Sequence, residues 1–249
     1  MLSYFSNPQR FDRLARTLIP VFGSLTVVLL GVGGWLALLG SPPDYQQGET
    51  IRIMYVHVPA AYMAMALYAA LAVASFVYFV WRHALADTAA EIIAPIGALF
   101  TVLALFTGSL WGKPMWGTWW EWDARMTSVL VLLLVYLGYM ALRAALEDAQ
   151  QAARTGAVLA MAGIVNLVIV KFSVDWWSSL HQPASLIRLD GPTIHASQLW
   201  PLVIMILAYS FLAGWLVLYR LRSQALRRRA RALQRQRDQA ARQREEAVS

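Results

Sequence analysis

The stretch WGKPMWGTWWEWDARMTS, residues 111–128, decides how this chain is read. Trp111, Trp116, Trp119, Trp120 and Trp122 crowd into it, interrupted by Gly112, Pro114 and Gly117 and followed by Asp123 and Arg125. Apolar runs long enough to cross a bilayer flank it on both sides. Indole is amphipathic and rests well at a membrane–water boundary, so interfacial anchoring is the simplest role. Anchoring takes one or two such rings per helix end, however. Five rings with two glycines make a surface, an aromatic platform for a planar apolar ligand.

The 249-residue chain is 59% hydrophobic and 14% charged, with a mean hydropathy of +0.50. Soluble domains carry about 25% charged residues. The 21 Lys and Arg against 14 Asp and Glu lie between apolar runs and in one tail. That is the pattern of membrane-span flanks, and it argues against a nucleic-acid surface. There is no cysteine, which excludes disulfides and thiolate ligands or nucleophiles. The first apolar run follows Arg10, Arg13 and Arg16, is too long for a signal-peptide core and lacks a clear small-residue cleavage site. It is read as a retained span.

At roughly 20 apolar residues per crossing, spans fall at about residues 18–40, 58–81, 92–111, 124–142, 155–174 and 197–219. The expected fold is an all-α integral membrane protein of six transmembrane helices, with the tryptophan-rich loop between the third and fourth. Residues 1–220 make the membrane domain, and 221–249 a basic tail expected to be a helix extending into water. Six spans leave both termini on one side. That side carries 16 arginines, ten of them from Arg220 onward, against Arg52, Lys113, Arg125, Lys171 and Arg188 on the other. The positive-inside bias makes the termini cytoplasmic. The tryptophan stretch, His57, His181 and His195 then face outward, and His83 inward.

Iron porphyrin is a flat apolar disc with two carboxylates whose iron takes neutral imidazoles as axial ligands. His57 begins the second span and His181 precedes the sixth, so two imidazoles distant in sequence can approach such a disc from opposite faces. Arg52, Lys113, Arg125 and Arg188 can pair with propionates. Plainer roles compete: His57 and His181 as interfacial or loop-bracing residues, Asp123 as the N-cap of the fourth span, Arg125 as an interface residue. Spacing alone leaves His195 open as a ligand.

WGKPMWGTWWEWDARMTS resembles the signature of the tryptophan-rich heme-handling membrane protein family of cytochrome c biogenesis, in which WGxxWxWD precedes an arginine and a Thr or Ser. VHVPAAYM (56–63) and SLHQPAS (179–185) resemble the two histidine segments of its compact six-span branch, the cytochrome c maturation protein C (heme exporter protein C) family. The resemblance covers essentially the full length. It implies a non-enzymatic protein that holds heme b, non-covalently and transiently, at the outer face of the bacterial inner membrane. His57 and His181 are then the axial ligands, and Trp111, Trp116, Trp119, Trp120, Trp122, Asp123 and Arg125 the surface for heme and for a periplasmic heme chaperone, maturation protein E. Further partners implied are the ATP-binding-cassette subunits A and B and the small membrane protein D. The chain itself has no GxxxxGK[ST] loop, so ATP hydrolysis belongs to a partner. A c-type covalent heme is excluded without a CxxCH. The alternatives are a heme export permease subunit and a membrane b-type cytochrome. The first should show ionisable groups within spans, where only Asn166 and the near-end Lys171 stand out. The second, if it crosses the bilayer, needs an inner histidine pair, and only His83 lies inside.

Overall fold

Backbone amides cannot be left unpaired in hydrocarbon, so a chain this apolar is expected to satisfy them within helices. The computed structural model describes residues 8–182, 185, 186, 188 and 190–248, with side chains described between 10 and 239. Pro183 and Ala184 of the SLHQPAS segment and Ser249 of the tail lie outside the described residues. Helix α1 (Pro8–Trp35) ends in a π-helical turn, Leu36–Gly40. A 3-10 turn, Glu49–Ile53, leads into α2 (Met54–Trp81), followed by α3 (Ala84–Trp116) and α4 (Ala124–Ala145). Helices α5 (Ala149–Ala162) and α6 (Ile164–Trp176) share one crossing, and α7 (Ala196–Val248) completes the chain. Six helical stretches among the described residues are long and apolar enough to cross a membrane, as expected.

The helices overrun the predicted spans, because hydropathy marks the apolar window and not the helix that contains it. Helix α3 continues through Gly112 and Pro114 to Trp116, so the tryptophan stretch is helical in its first third. The connecting loop is only residues 117–123. Gly117 ends α3 in the left-handed region (φ 78°), its N–H bonded to the Lys113 carbonyl, a conformation glycine adopts without strain. Asp123 opens α4, its Oδ1 accepting the Met126 N–H at 2.7 Å. The tail is continuous with α7; beyond Gly214 it has neither glycine nor proline to stop a helix of Arg, Gln, Ala and Leu.

Small residues let the helices approach, and tyrosine hydroxyls lock them. Tyr136 is buried against Gly97 and donates to the Ala64 carbonyl at 2.9 Å. Tyr68 stacks edge-on to it and donates to the Ala160 carbonyl at 3.0 Å. A Cβ on Gly163 would overlap that hydroxyl. The α5–α6 break therefore falls where a side chain enters the backbone ladder. Helices α1 and α7 pack through Gly23 against Trp215 and Gly214 against Phe22, the small-residue contact that membrane helices use in place of a hydrophobic driving force. At the end away from the tryptophan loop, Arg143 grips Asp87 with two nitrogens and Arg222 bonds Asp12.

Gly97→Ala would force a methyl into the Tyr136 ring. Thermal unfolding in detergent is expected to show a loss of about 1–3 kcal/mol, with Gly31→Ala, which meets nothing within 4 Å, unchanged.

Candidate heme-ligand site

His57 lies in the first turn of α2, where the chain has just left the 3-10 turn. Its Nδ1 is 3.0 Å from the Ala104 carbonyl and 3.2 Å from the Thr107 hydroxyl, both on α3. Thr107 directs its own proton to the Leu103 carbonyl at 2.6 Å. Both partners of Nδ1 are thus acceptors, and Nδ1 must carry the proton. That leaves the lone pair on Nε2, the form in which imidazole binds metal. The ring sits on Gly108, where a Cβ would come within 2.9 Å of Cε1, and meets Trp111 edge-on at 5.8 Å. Trp111 is itself fixed by Gln47, which accepts its indole N–H at 2.9 Å.

His181 comes from the loop after α6. Its Nδ1 is 2.8 Å from Asp123 Oδ2. Ser179 donates its hydroxyl to the same oxygen and accepts the His181 backbone N–H at 3.1 Å. Nδ1 is again the donor and Nε2 the free position. Trp116 lies edge-on to the ring at 5.0 Å. Burial lowers the His181 pKa below its ordinary value, with the Asp123 carboxylate opposing, so the ring is neutral at neutral pH. For Asp123, burial would raise the pKa, but the bonds from Ser179, Met126 and His181 outweigh it and keep the group ionised. The two histidines lie within electrostatic range of each other, with Arg125 near both. Among the described residues neither Nε2 has a hydrogen-bond partner.

The tryptophans divide into two groups. Trp111 and Trp116 flank the imidazoles, while Trp119 and Trp122 are 55% and 72% exposed. Trp120 packs edge-on to Trp122 and has a buried indole nitrogen with no hydrogen-bond partner among the described residues. The basic residues largely spend their donors on the fold. Arg52 binds Glu49 and the Ala37 carbonyl, and Lys113 the Gly117 carbonyl. Arg125 binds Ser173 and, at 3.5 Å, the Lys171 carbonyl. Among the described residues, the Arg188 side chain has only an exposed contact with Asp190 at 3.8 Å. His195 opens α7, bonded to Ser197, with no described contact to the other histidines. Sequence reasoning passed over Gln47, Thr107, Gly108 and Ser179. Of these only Ser179, two residues before His181, had a readable signal, that of a Ser side chain turning back on its own loop.

Fold and site together define a multi-pass membrane protein that presents two neutral imidazoles beside an aromatic surface. The family model for heme exporter protein C matches residues 1–236. Heme exporter protein C of Bradyrhizobium diazoefficiens is 52% identical over 224 residues, 90% of this chain and 85% of the relative. That of Escherichia coli K12 is 44% identical over 221 residues, 88% of each. A mitochondrial protein of Marchantia polymorpha named for cytochrome c biosynthesis is 43% identical over 202 residues, 81% of this chain and 84% of the relative. The chain belongs to the heme exporter protein C family, and with it to heme transport for cytochrome c biogenesis.

Nitrogen-15 NMR of histidine-labelled protein in detergent at pH 7 should show the neutral Nδ1–H tautomer for His57 and His181, with His181 titrating below the ordinary histidine value. An Nε2–H signal from either would contradict this geometry.

Proposed function

We propose that this protein binds heme b non-covalently at the outer face of the bacterial inner membrane and hands it to a periplasmic heme chaperone. The observation that carries the proposal is the pair of imidazoles with Nδ1 committed and Nε2 free, beside Trp111 and Trp116. Among the described residues no group of three or more His, Asp or Glu side chains is disposed to hold a bare metal ion. Porphyrin iron asks less of the protein, because the macrocycle fills the equatorial positions and only axial ligands are needed. His57 and His181 supply these. The weak surface pair of Arg188 is the cationic contact most easily exchanged for a propionate.

Non-covalent ligation suits carriage, since heme must be both held and surrendered. No bond of the porphyrin is made or broken by this chain, and the role is transport, not catalysis. The exposed rings of Trp119 and Trp122 are the docking surface for the chaperone, maturation protein E. The subunits A and B of the ATP-binding-cassette complex and the small membrane protein D complete the assembly. Cytoplasmic termini, supported by the arginine bias, place the site on the periplasmic side, with residues 221–249 as a basic cytoplasmic tail. A permease path gains no support from Asn166, whose amide joins α6 to the Ser128 carbonyl of α4 at 3.0 Å.

Replacing Trp119 and Trp122 together by Ala is expected to leave heme bound but to cut its appearance on the chaperone about ten-fold or more, as loss of exposed aromatic anchors does. Undiminished transfer by the folded variant would remove the docking role.

A further inference from the structure

The two imidazoles are held in different ways. His57 is fixed between two long helices: its Nδ1–H meets a main-chain carbonyl that no substitution removes, and its ring lies on the backbone of Gly108. His181 is carried by a loop and not by a helix. It sits between Trp177, the C-cap of α6, and Ala196, the first residue of α7. The hydrogen bonds of its ring run to Ser179, two residues away in the same loop at 3.3 Å, and to Asp123 on a different element.

Asp123 in turn is the last residue of the tryptophan loop. Its two oxygens do different work: Oδ1 caps α4 through Met126 N–H, and Oδ2 receives His181 Nδ1 and the Ser179 hydroxyl. Trp122, the most exposed of the five tryptophans, is its immediate neighbour. A force on the Trp122 ring therefore reaches the His181 hydrogen bond through one peptide unit, while the His57 hydrogen bonds lie on α2 and α3, outside that path.

The geometry points to Asp123 as the positioning residue that holds His181 in its ligating tautomer and ties that hold to the tryptophan loop, so that His181 is the ligand that yields when a partner engages the loop and His57 the one that stays. This rests on the heme-ligand reading above and goes beyond it, since ligation alone leaves the two histidines equivalent. A carboxylate opposite Nδ1–H also makes Nε2 a stronger donor than a carbonyl does. The Asp123 bond thus both strengthens the iron–His181 bond and makes it conditional.

Asparagine separates the two jobs of Asp123. Asp and Asn cap helices about equally well, but Asn has one acceptor atom and one donor. With the oxygen on Met126 N–H, the amide nitrogen faces His181 Nδ1 and favours the opposite tautomer, with the proton on Nε2 where iron would bind. Serine also caps but is too short to reach the ring. The test is full-length protein in detergent, loaded with hemin, as wild type, Asp123→Asn and Asp123→Ser, read by visible spectrum, imidazole titration and hemin loss to apomyoglobin. Wild type is expected to be six-coordinate and low-spin. Both variants are expected to be high-spin, to return to low-spin with added imidazole, and to lose hemin about ten-fold faster, the usual cost of removing a ligand's hydrogen-bond partner. Recovery with imidazole shows that the fold and His57 are intact. If one variant does not fold, the other decides. An Asp123→Asn spectrum and hemin-loss rate equal to wild type would overturn the proposal, because Asp123 would then be a cap alone. Wild-type protein that takes up no hemin, or a His181→Ala spectrum like wild type, would instead fault the heme-ligand reading.

Discussion

Where water cannot reach, a polar group must find its partner in the protein, and this one requirement shapes both the scaffold and the site. Tyr68 and Tyr136 meet it by donating to helix carbonyls of Ala160 and Ala64, which brings α2 against α4 and α5 and leaves room only for glycine at the contacts. Thr26, Thr88 and Thr101 meet it by bonding back to their own helices. Thr107 does the same, and its proton is then no longer available to His57. The protonated nitrogen of His57 follows from that, and with it the nitrogen left for a metal. The site is thus an extension of the rule that packs the helices.

The 117–123 loop joins scaffold to surface in seven residues. Gly117 ends one helix, Asp123 begins the next, and the three tryptophans between them have little freedom to do anything but project or stack. Thr118 closes a turn on Trp120 from both sides, donating to its carbonyl and accepting its N–H. A short loop with both ends capped can present Trp119 and Trp122 to a partner without unravelling the helices behind them.

The number of crossings and the helical class were legible in the chain, because hydropathy and residue type report them directly; spacing left His57, His181 and His195 alike as candidates, and only the resemblance of their segments paired the first two. Helix extents were less so. Nothing in the hydropathy of 112–116 says that α3 continues through a glycine and a proline, since Pro114 lies in the last turn, where little helix remains to be disrupted. Asp123 read as either a cap or a site residue. It is a cap and a histidine partner at once, which a carboxylate can manage with two oxygens and a one-dimensional reading cannot foresee. The carbonyl of Ala104 was invisible for a different reason: every residue has one, and only packing decides which is left facing an imidazole. Of the basic residues matched to propionates by sign alone, Arg52, Lys113 and Arg125 are engaged with nearby carbonyls, as flexible cations commonly are, while Arg188 meets Asp190 at the surface.

The function of the site depends on His57 and His181 being the pair that grips iron. Its most direct test is the visible spectrum of the protein purified from the membrane, wild type beside His57→Ala, His181→Ala and His195→Ala. Co-purified heme in a low-spin, six-coordinate state in wild type and His195→Ala, lost or converted in the other two, is the result this structure predicts. Heme-free wild type, or a spectrum indifferent to both His57 and His181, would contradict it.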